Sequence, residues 1–257
     1  GTSISLRQPV LSLVLGRLPA TLELSLLALL IACILGGTLS LLGTRLRETK
    51  IEGIIDGING IAMSIPDFLW GLIFILLFGV MWPIFHISGR ISPFLDIDYS
   101  TQFYLMESIL RFDLKVFTDL LAHMLMPAVA LSIPLAAIIS QLLKQSLKET
   151  MHLDYVTLSR TKGYSENHVI LKEALPNAVL PTLTLVGVQF TFLIGGTVII
   201  ERLFSYEGLG NMAIDAVINR DLPLIQGIVI LFALIFTVVN LLVDLTYTLL
   251  NPKLRDG

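Results

Sequence analysis

The sequence predicts an all-α integral membrane protein, with five transmembrane helices in a single domain over residues 1–257. Three observations predict it. Apolar residues make up 54% of the chain and charged residues only 14%, where a soluble domain carries about a quarter charged residues. Mean hydropathy is +0.83, so much of the surface must face something other than water. Five separate stretches also approach or exceed the roughly 20 mostly apolar residues that cross a bilayer.

The first stretch, 24–44, carries no charge. The second, 68–87, has a polar shoulder at Ser64, Ile65, Pro66 and Asp67. The third, 122–143, is interrupted by Pro127 and Pro134. The fourth, 174–200, has Pro176 and Pro181 near its start, and the fifth, 222–243, ends at Asp244. A net charge of -3 lacks the basic excess of a nucleic-acid binder. The single cysteine, Cys33, lies in an apolar run. It can form no internal disulfide and reads as a small lipid- or core-facing residue.

Lysine and arginine in the connections set the orientation, because cytoplasmic loops carry their excess. One set of alternate connections holds ten: Arg45, Arg47 and Lys50, then Lys144, Lys148, Arg160, Lys162 and Lys172, then Lys253 and Arg255. The other holds seven: Arg7, Arg17, Arg90, Arg111, Lys115, Arg202 and Arg220. The first set is therefore expected in the cytoplasm and the N-terminus outside. No basic segment precedes a short apolar core, so no signal peptide is read. Five spans starting outside point to a further helix upstream of Gly1, six spans in the full-length protein. Residues 88–123 are expected to form an external loop, with Asp96 and Asp98, a helix-like segment over 103–121, and Tyr99, Phe103, Tyr104 and Phe112 suited to the membrane interface.

The connection at 154–176 is the most informative. Residues 154–162 can form a short helix with Arg160 and Lys162 at its C-terminal end, where the helix dipole favours cations. Gly163 follows where a left-handed residue would end that helix. Ser165 is placed to cap a second helix with Glu166 in its first turn, and that helix presents Val169, Ile170 and Leu171 before entering the membrane at Pro176. The expected product is a helix, a sharp turn and a second helix, offering a mixed apolar and polar knob to the cytoplasm.

Gly163 is followed twelve and thirteen residues later by Leu175 and Pro176. This resembles the coupling-loop signature of ABC importer permeases, which runs E-A-A, three residues, Gly, nine residues, Ile, one residue, Leu-Pro. Thr157, Leu158 and Ser159 replace E-A-A, and Glu173 replaces the isoleucine. Tyr155-Val156 with Arg160, Lys162 and Gly163 is similar to the version found in the dipeptide, oligopeptide and nickel branch. Arg17-Leu18-Pro19-Ala20-Thr21-Leu22-Glu23, Ile65-Pro66 with Phe68, Gly195-Gly196, Glu201 with Phe204-Ser205, Gly208-Leu209-Gly210, Asp221-Leu222-Pro223, Gln226-Gly227, the run from Asn240 to Asp244, and Pro252-Lys253-Leu254-Arg255 resemble further segments of that branch, in order. Residues 88–122 match least.

The resemblance implies the type I importer permease fold, with no cofactor of its own. The implied partners are a second permease subunit, two ATP-binding subunits, an external solute-binding protein and the lipid membrane, with no nucleic acid. It implies that Tyr155, Leu158, Arg160, Lys162, Gly163, Leu175 and Pro176 form the ATPase-coupling loop. The solute is a di- or oligopeptide on this reading, with opines, glutathione or nickel as alternatives in the same branch. The chain has no G-x-x-x-x-G-K-[ST] run to cradle ATP phosphates, so hydrolysis is expected in separate subunits. An ATPase-independent secondary transporter would be expected to show paired membrane charges or internal repeats, and neither stands out. A membrane hydrolase would need a nucleophile motif at membrane depth, and none is found.

Pro66, Asp67, Gln189 and Asn240 are the candidate translocation-path residues. Ionisable groups inside lipid are costly and therefore functional candidates. Asp67 reads either as the cap of a broken helix or as a pore-lining group, and Asp244 as a structural polar partner. Gln189 and Asn240 suit interhelical hydrogen bonds as well as solute contact. Gly36-Gly37 and Gly195-Gly196 suit close helix packing. His86, His123, His152 and His168 are scattered, without the spacing of a zinc site.

Overall fold

The computed structural model describes residues 1–95 and 97–250, without the side chains of 244 and 247–250. The expectations for Asp96, for the Asp244 side chain and for the tail at Pro252, Lys253, Leu254 and Arg255 lie outside the described residues. The described chain is built from helices, and its β-structure is one isolated bridge between Thr2 and Pro9. In order the helices are α1 (Val10–Arg45), α2 (Lys50–Ser64), α3 (Asp67–Phe74) continued by a π turn (Ile75–Met81), α4 (Tyr104–Leu110), α5 (Leu114–Thr150), α6 (Asp154–Thr161), α7 (Glu166–His168) continued by a second π turn (Val169–Ala174), α8 (Leu175–Leu203), α9 (Leu209–Ile218) and α10 (Leu222–Leu250).

Four helices are long and apolar enough to cross a bilayer: α1, α5, the run ending in α8, and α10. The pair α2 with α3 and its π turn is long and apolar enough to cross only when taken together, and it is bent by 98°. The bend follows from Pro66. A residue before proline is pushed out of the helical region, and Ile65 is extended at φ -99, ψ 122. The break falls in the polar shoulder at 64–67, and the apolar stretch expected over 68–87 is α3 followed by the π turn. It stops at Met81, because Trp82 precedes Pro83 and takes φ -125, ψ 82.

Two other expectations are corrected. The helix-like segment at 103–121 is two helices, α4 and the start of α5, parted at Phe112 with φ 55. Asp113 then caps α5, accepting from the Val116 amide at 3.2 Å. Pro127 and Pro134, expected to interrupt the third span, lie within an unbroken α5. Each removes one backbone bond, and packing holds the helix through both. Two thirds (67%) of the most apolar stretch of α5 is buried within the chain, against 11% for α10.

The chain forms two compact units. The first comprises 1–28, 66–132 and 191–237, the second 29–65, 133–190 and the residues from 238 on. The first unit has an apolar core of Val10, Val14, Leu209, Ala216, Leu224 and Ile228, and Glu23, Glu107, Glu201 and Asp221 are buried in the same unit. Glu23 pairs with Arg90 at 2.8 Å, both buried, and accepts from the Leu105 and Met106 amides at 2.9 and 3.2 Å. Glu201 accepts from the Thr21 hydroxyl at 2.6 Å and from the Asn211 amide at 3.0 Å, while Thr21 Oγ1 accepts from the Leu209 amide at 2.8 Å. A side chain at Gly208 would collide with the Glu201 carboxylate. Helices α1, α8 and α9 are thereby tied at one point.

In the second unit α1 and α5 touch through Gly36, where a Cβ would lie 2.6 Å from the Ala136 carbonyl oxygen. Helix α2 is held to α5 by Asn59 donating to Ser140 Oγ at 3.0 Å and by Lys144, which pairs with Glu52 at 2.7 Å and Asp56 at 2.8 Å. The core of this unit is Leu143, Leu147, Met151, Val156, Val169, Ile170, Ala174 and Ala178.

Candidate coupling site

The knob at 154–176 is built on that last core. Val156 and Ser159 lie three apart on one face of α6 and are buried, while Tyr155 and Leu158 on the other faces are exposed. Helix α6 ends as its sequence requires. Gly163 takes φ +83. Its amide donates to the Arg160 carbonyl at 2.9 Å and the Tyr164 amide to the Ser159 carbonyl at 3.4 Å. This pair of bonds, around a left-handed glycine, is the Schellman motif, which satisfies the orphan carbonyls of a helix end. A Cβ at Gly163 would meet nothing within 4 Å, so the glycine is needed for its backbone conformation and not for space.

The second helix starts at Ser165, whose hydroxyl accepts from the His168 amide at 3.4 Å. The rings of Tyr164 and His168 stack with centroids 4.5 Å apart. Arg160 ties the end of α6 backwards and forwards. Its guanidinium donates to the Met151 carbonyl at 3.3 Å and sits 3.4 Å from Glu166. Glu166 also faces Arg47 at 3.3 Å, which joins the knob to the connection between α1 and α2.

Of the residues expected to present an apolar face, only Leu171 is exposed. Val169 and Ile170 are buried against Leu143, Leu147 and Val156. This corrects the reading of the second helix. Its continuation is a π turn, and the two neighbouring side chains anchor the knob instead of decorating it. Leu175 packs partly into the same core, and Pro176 is exposed. Tyr155, Leu158, Arg160, Lys162, Gly163, Leu175 and Pro176 thus belong to one continuous piece of the second unit.

The candidate path residues divide between the units, with Pro66 and Asp67 in the first and Gln189 and Asn240 in the second. Pro66 is exposed; Asp67, Gln189 and Asn240 are half-buried. Asp67 is the first residue of α3, whose N-cap is Pro66; its Oδ1 accepts from the Phe68 amide at 2.7 Å, and Oδ2 is 3.6 Å from where a Cβ on Gly196 would stand. Of the four glycines expected at close packing, Gly36 is at a tight approach, a Cβ at Gly196 would make an ordinary contact, and Gly37 and Gly195 have open space. Among the described residues no group of three His, Cys, Asp or Glu is placed to hold a metal ion. Two histidines do come together in the first unit: His86 and His123 stack at 4.1 Å.

Sequence reasoning passed over Asn177, whose amide donates to the Tyr155 hydroxyl at 2.7 Å. It also left Glu23 and Glu201 as parts of motifs. The signal that could have found those two is a carboxylate inside or beside an apolar run, the criterion applied only to Asp67 and Asp244.

The family model for the binding-protein-dependent transport system inner membrane component matches residues 19–256. The chain belongs to this family. Among its relatives, the dipeptide transport system permease protein DppB of Escherichia coli strain K12 is 37% identical over 99% of this chain and 76% of its own length. The di/tripeptide transport system permease protein DppB of Pseudomonas aeruginosa strain UCBPP-PA14 is 38% identical, with the same coverage of both chains. A chain of the MetNI methionine ABC transporter, in inward-facing conformations, superposes with a TM-score of 0.72 at 15% identity, covering 95% of this permease and 98% of that chain. An amino acid ABC transporter solved with histidines gives 0.64 at 16% identity, covering 92% and 94%. At such identities the likeness concerns the fold, which is that of type I importer permeases. The permease is accordingly a multi-pass protein of the bacterial inner membrane and a transmembrane component of an ABC importer.

Proposed function

We propose that this permease translocates di- or oligopeptides, and that residues 154–176 are the cytoplasmic loop through which separate ATP-binding subunits drive it. The observation that carries the coupling reading is the rigid corner at Gly163, with φ +83, fixed to a buried core by Val156, Val169 and Ile170. A flexible connection would dissipate movement, whereas this one can pass it on. The exposed Leu158 and Lys162 would meet the ATPase, and Leu175-Pro176 leads from the knob into α8. The peptide reading rests on the relatives, whose names specify dipeptide and di/tripeptide transport.

In the complete transporter the chain pairs with a second permease, two ATP-binding subunits and an external solute-binding protein that delivers the peptide. Residues 88–123 form the external loop, and the translocation path draws on Pro66, Asp67, Gln189 and Asn240. The expected cycle is closure of the ATPase pair, displacement of the knobs, and exchange between inward- and outward-facing arrangements of the spans.

Gly163→Val tests this. Valine at a left-handed position is strongly disfavoured, so the corner should be displaced while the spans, which do not depend on it, insert normally. The variant should reach the membrane and keep its second permease, but lose tight ATPase association or hydrolyse ATP without uptake. Gly60→Val is the comparison, in α2 and with nothing within 4 Å of its Cβ. Pull-down of the ATPase subunits and peptide uptake, both normalised to membrane abundance, read the outcome. Normal association and uptake in Gly163→Val would reduce the loop to a connection.

A further inference from the structure

Where the knob meets the membrane span, the regular helical ladder is interrupted. The chain arrives as a π turn over Val169–Ala174, changes to α-helix at Leu175, and meets Pro176 one residue later. Proline has no N–H to give to the ladder, and a π turn inside a helix is a local departure from the i→i+4 pattern, often found at functional sites. A lever with a defect at this point would bend there. One side chain crosses the defect. Tyr155, on α6, donates its hydroxyl hydrogen to the Glu173 carbonyl at 3.4 Å, on the π-turn side of Pro176. It accepts from the Asn177 amide at 2.7 Å, on the α8 side. Tyr155 is itself fixed by its neighbour Val156, which is fully buried in the core of this unit.

We propose that Tyr155 and Asn177 act as a splint across the Pro176 junction, making the knob and the start of α8 one rigid body, with Asn177 a positioning residue for coupling. The proposal rests on the reading of 154–176 as the coupling loop, and it adds a residue and a mechanism to it. Both side chains lie at the surface, where water competes for the same hydrogen bonds, so the pair adds little to folding stability. Its consequence is geometric. Without it, force delivered to the knob is absorbed at Pro176 and does not reach α8.

The test uses the assembled transporter, reconstituted with its ATPase subunits and binding protein. The variants are Asn177→Leu, Tyr155→Phe, their double, and Asn177→Gln, whose side-chain amide can still donate to the Tyr155 hydroxyl and leave the hydroxyl hydrogen for the Glu173 carbonyl. Two readouts are taken: dipeptide uptake per ATP hydrolysed, and hydrogen exchange of the backbone amides of Ala174, Leu175, Asn177 and Ala178. Both single variants should retain their ATPase subunits and continue to hydrolyse ATP, while uptake per ATP falls several-fold and exchange at the junction accelerates. The double should be no worse than either single, because partners in one interaction are not additive. Asn177→Gln should recover most of the coupling.

Unchanged exchange and unchanged uptake per ATP in both singles would overturn the splint, as would an additive double. Loss of ATPase subunits from Asn177→Leu would also overturn it, by making Asn177 a docking contact. These results are separable from the broader reading. If Gly163→Val loses its ATPase while Asn177→Leu behaves as wild type, the coupling loop stands and the splint falls. If the wild-type transporter takes up no dipeptide, the exchange measurement still decides the splint.

Discussion

Glu107 shows how one carboxylate can order a loop. Its two oxygens accept from the amide and hydroxyl of Ser100 at 2.9 and 3.0 Å and from the amide and hydroxyl of Thr101 at 2.9 and 2.6 Å, while Arg111 approaches to 2.5 Å. The Thr101 hydroxyl is the largest influence on its acidity. Together with the amides it outweighs desolvation and takes the carboxyl from its ordinary 4.5 down to about 2. A group whose folded pKa is lowered stabilises the folded form above its unfolded pKa and loses that effect as pH falls through the folded value. The segment 100–111 should therefore stay protected from exchange and proteolysis at neutral pH and loosen between about pH 4.5 and pH 2. Glu107→Gln should loosen it already at neutral pH and flatten the dependence. The same scale explains what sequence alone left hidden. Glu107, Glu23 and Glu201 have partners 67 or more residues away or in an irregular loop, such as Arg90 for Glu23 and Thr21 for Glu201, and no local pattern announces such pairings. Gly163 was legible because its requirement is local: a helix end followed by a cap.

At the scale of the element, apolar runs gave the spans, and proline chemistry gave their boundaries unevenly. Pro66 breaks a helix because it holds Ile65 extended. Pro127 and Pro134 do not break α5, since most of that helix is enclosed by neighbours and tertiary packing offsets two missing backbone bonds. Burial by distant elements is the quantity a single stretch of sequence does not contain. Gly36 makes a further element-scale point. Substitution by alanine would press a Cβ against the Ala136 carbonyl oxygen and force α1 away from α5, at a cost of about 1–3 kcal/mol, typical of an overpacked contact. Gly37→Ala, with nothing within 4 Å, should instead gain up to about 1 kcal/mol in helix propensity. Thermal unfolding midpoints of the two purified variants, in one detergent, should shift in opposite directions. A shared direction would show that Gly36 is not at a close approach.

For the whole molecule, the order and number of spans followed from composition, and the family from motifs spread along nearly the entire chain; the division into two compact units did not. That division depends on which turns of α1, α5, α8 and α10 pack together, a matter of side-chain fit that hydropathy averages away. The unequal burial of the long helices has a consequence for how the protein tolerates change. On α10, where 11% of the most apolar stretch is buried within the chain against 67% on α5, the surroundings ask for little beyond being apolar. In a saturation scan scored by membrane abundance, α10 should accept exchanges among Leu, Ile, Val, Phe and Met with little loss, while rejecting charge. Helix α5 should respond to the size and branching of each residue, because its neighbours leave a space of fixed shape. Two helices that look alike on a hydropathy plot would then drift through sequence space at different rates, one constrained by polarity alone and the other by volume as well.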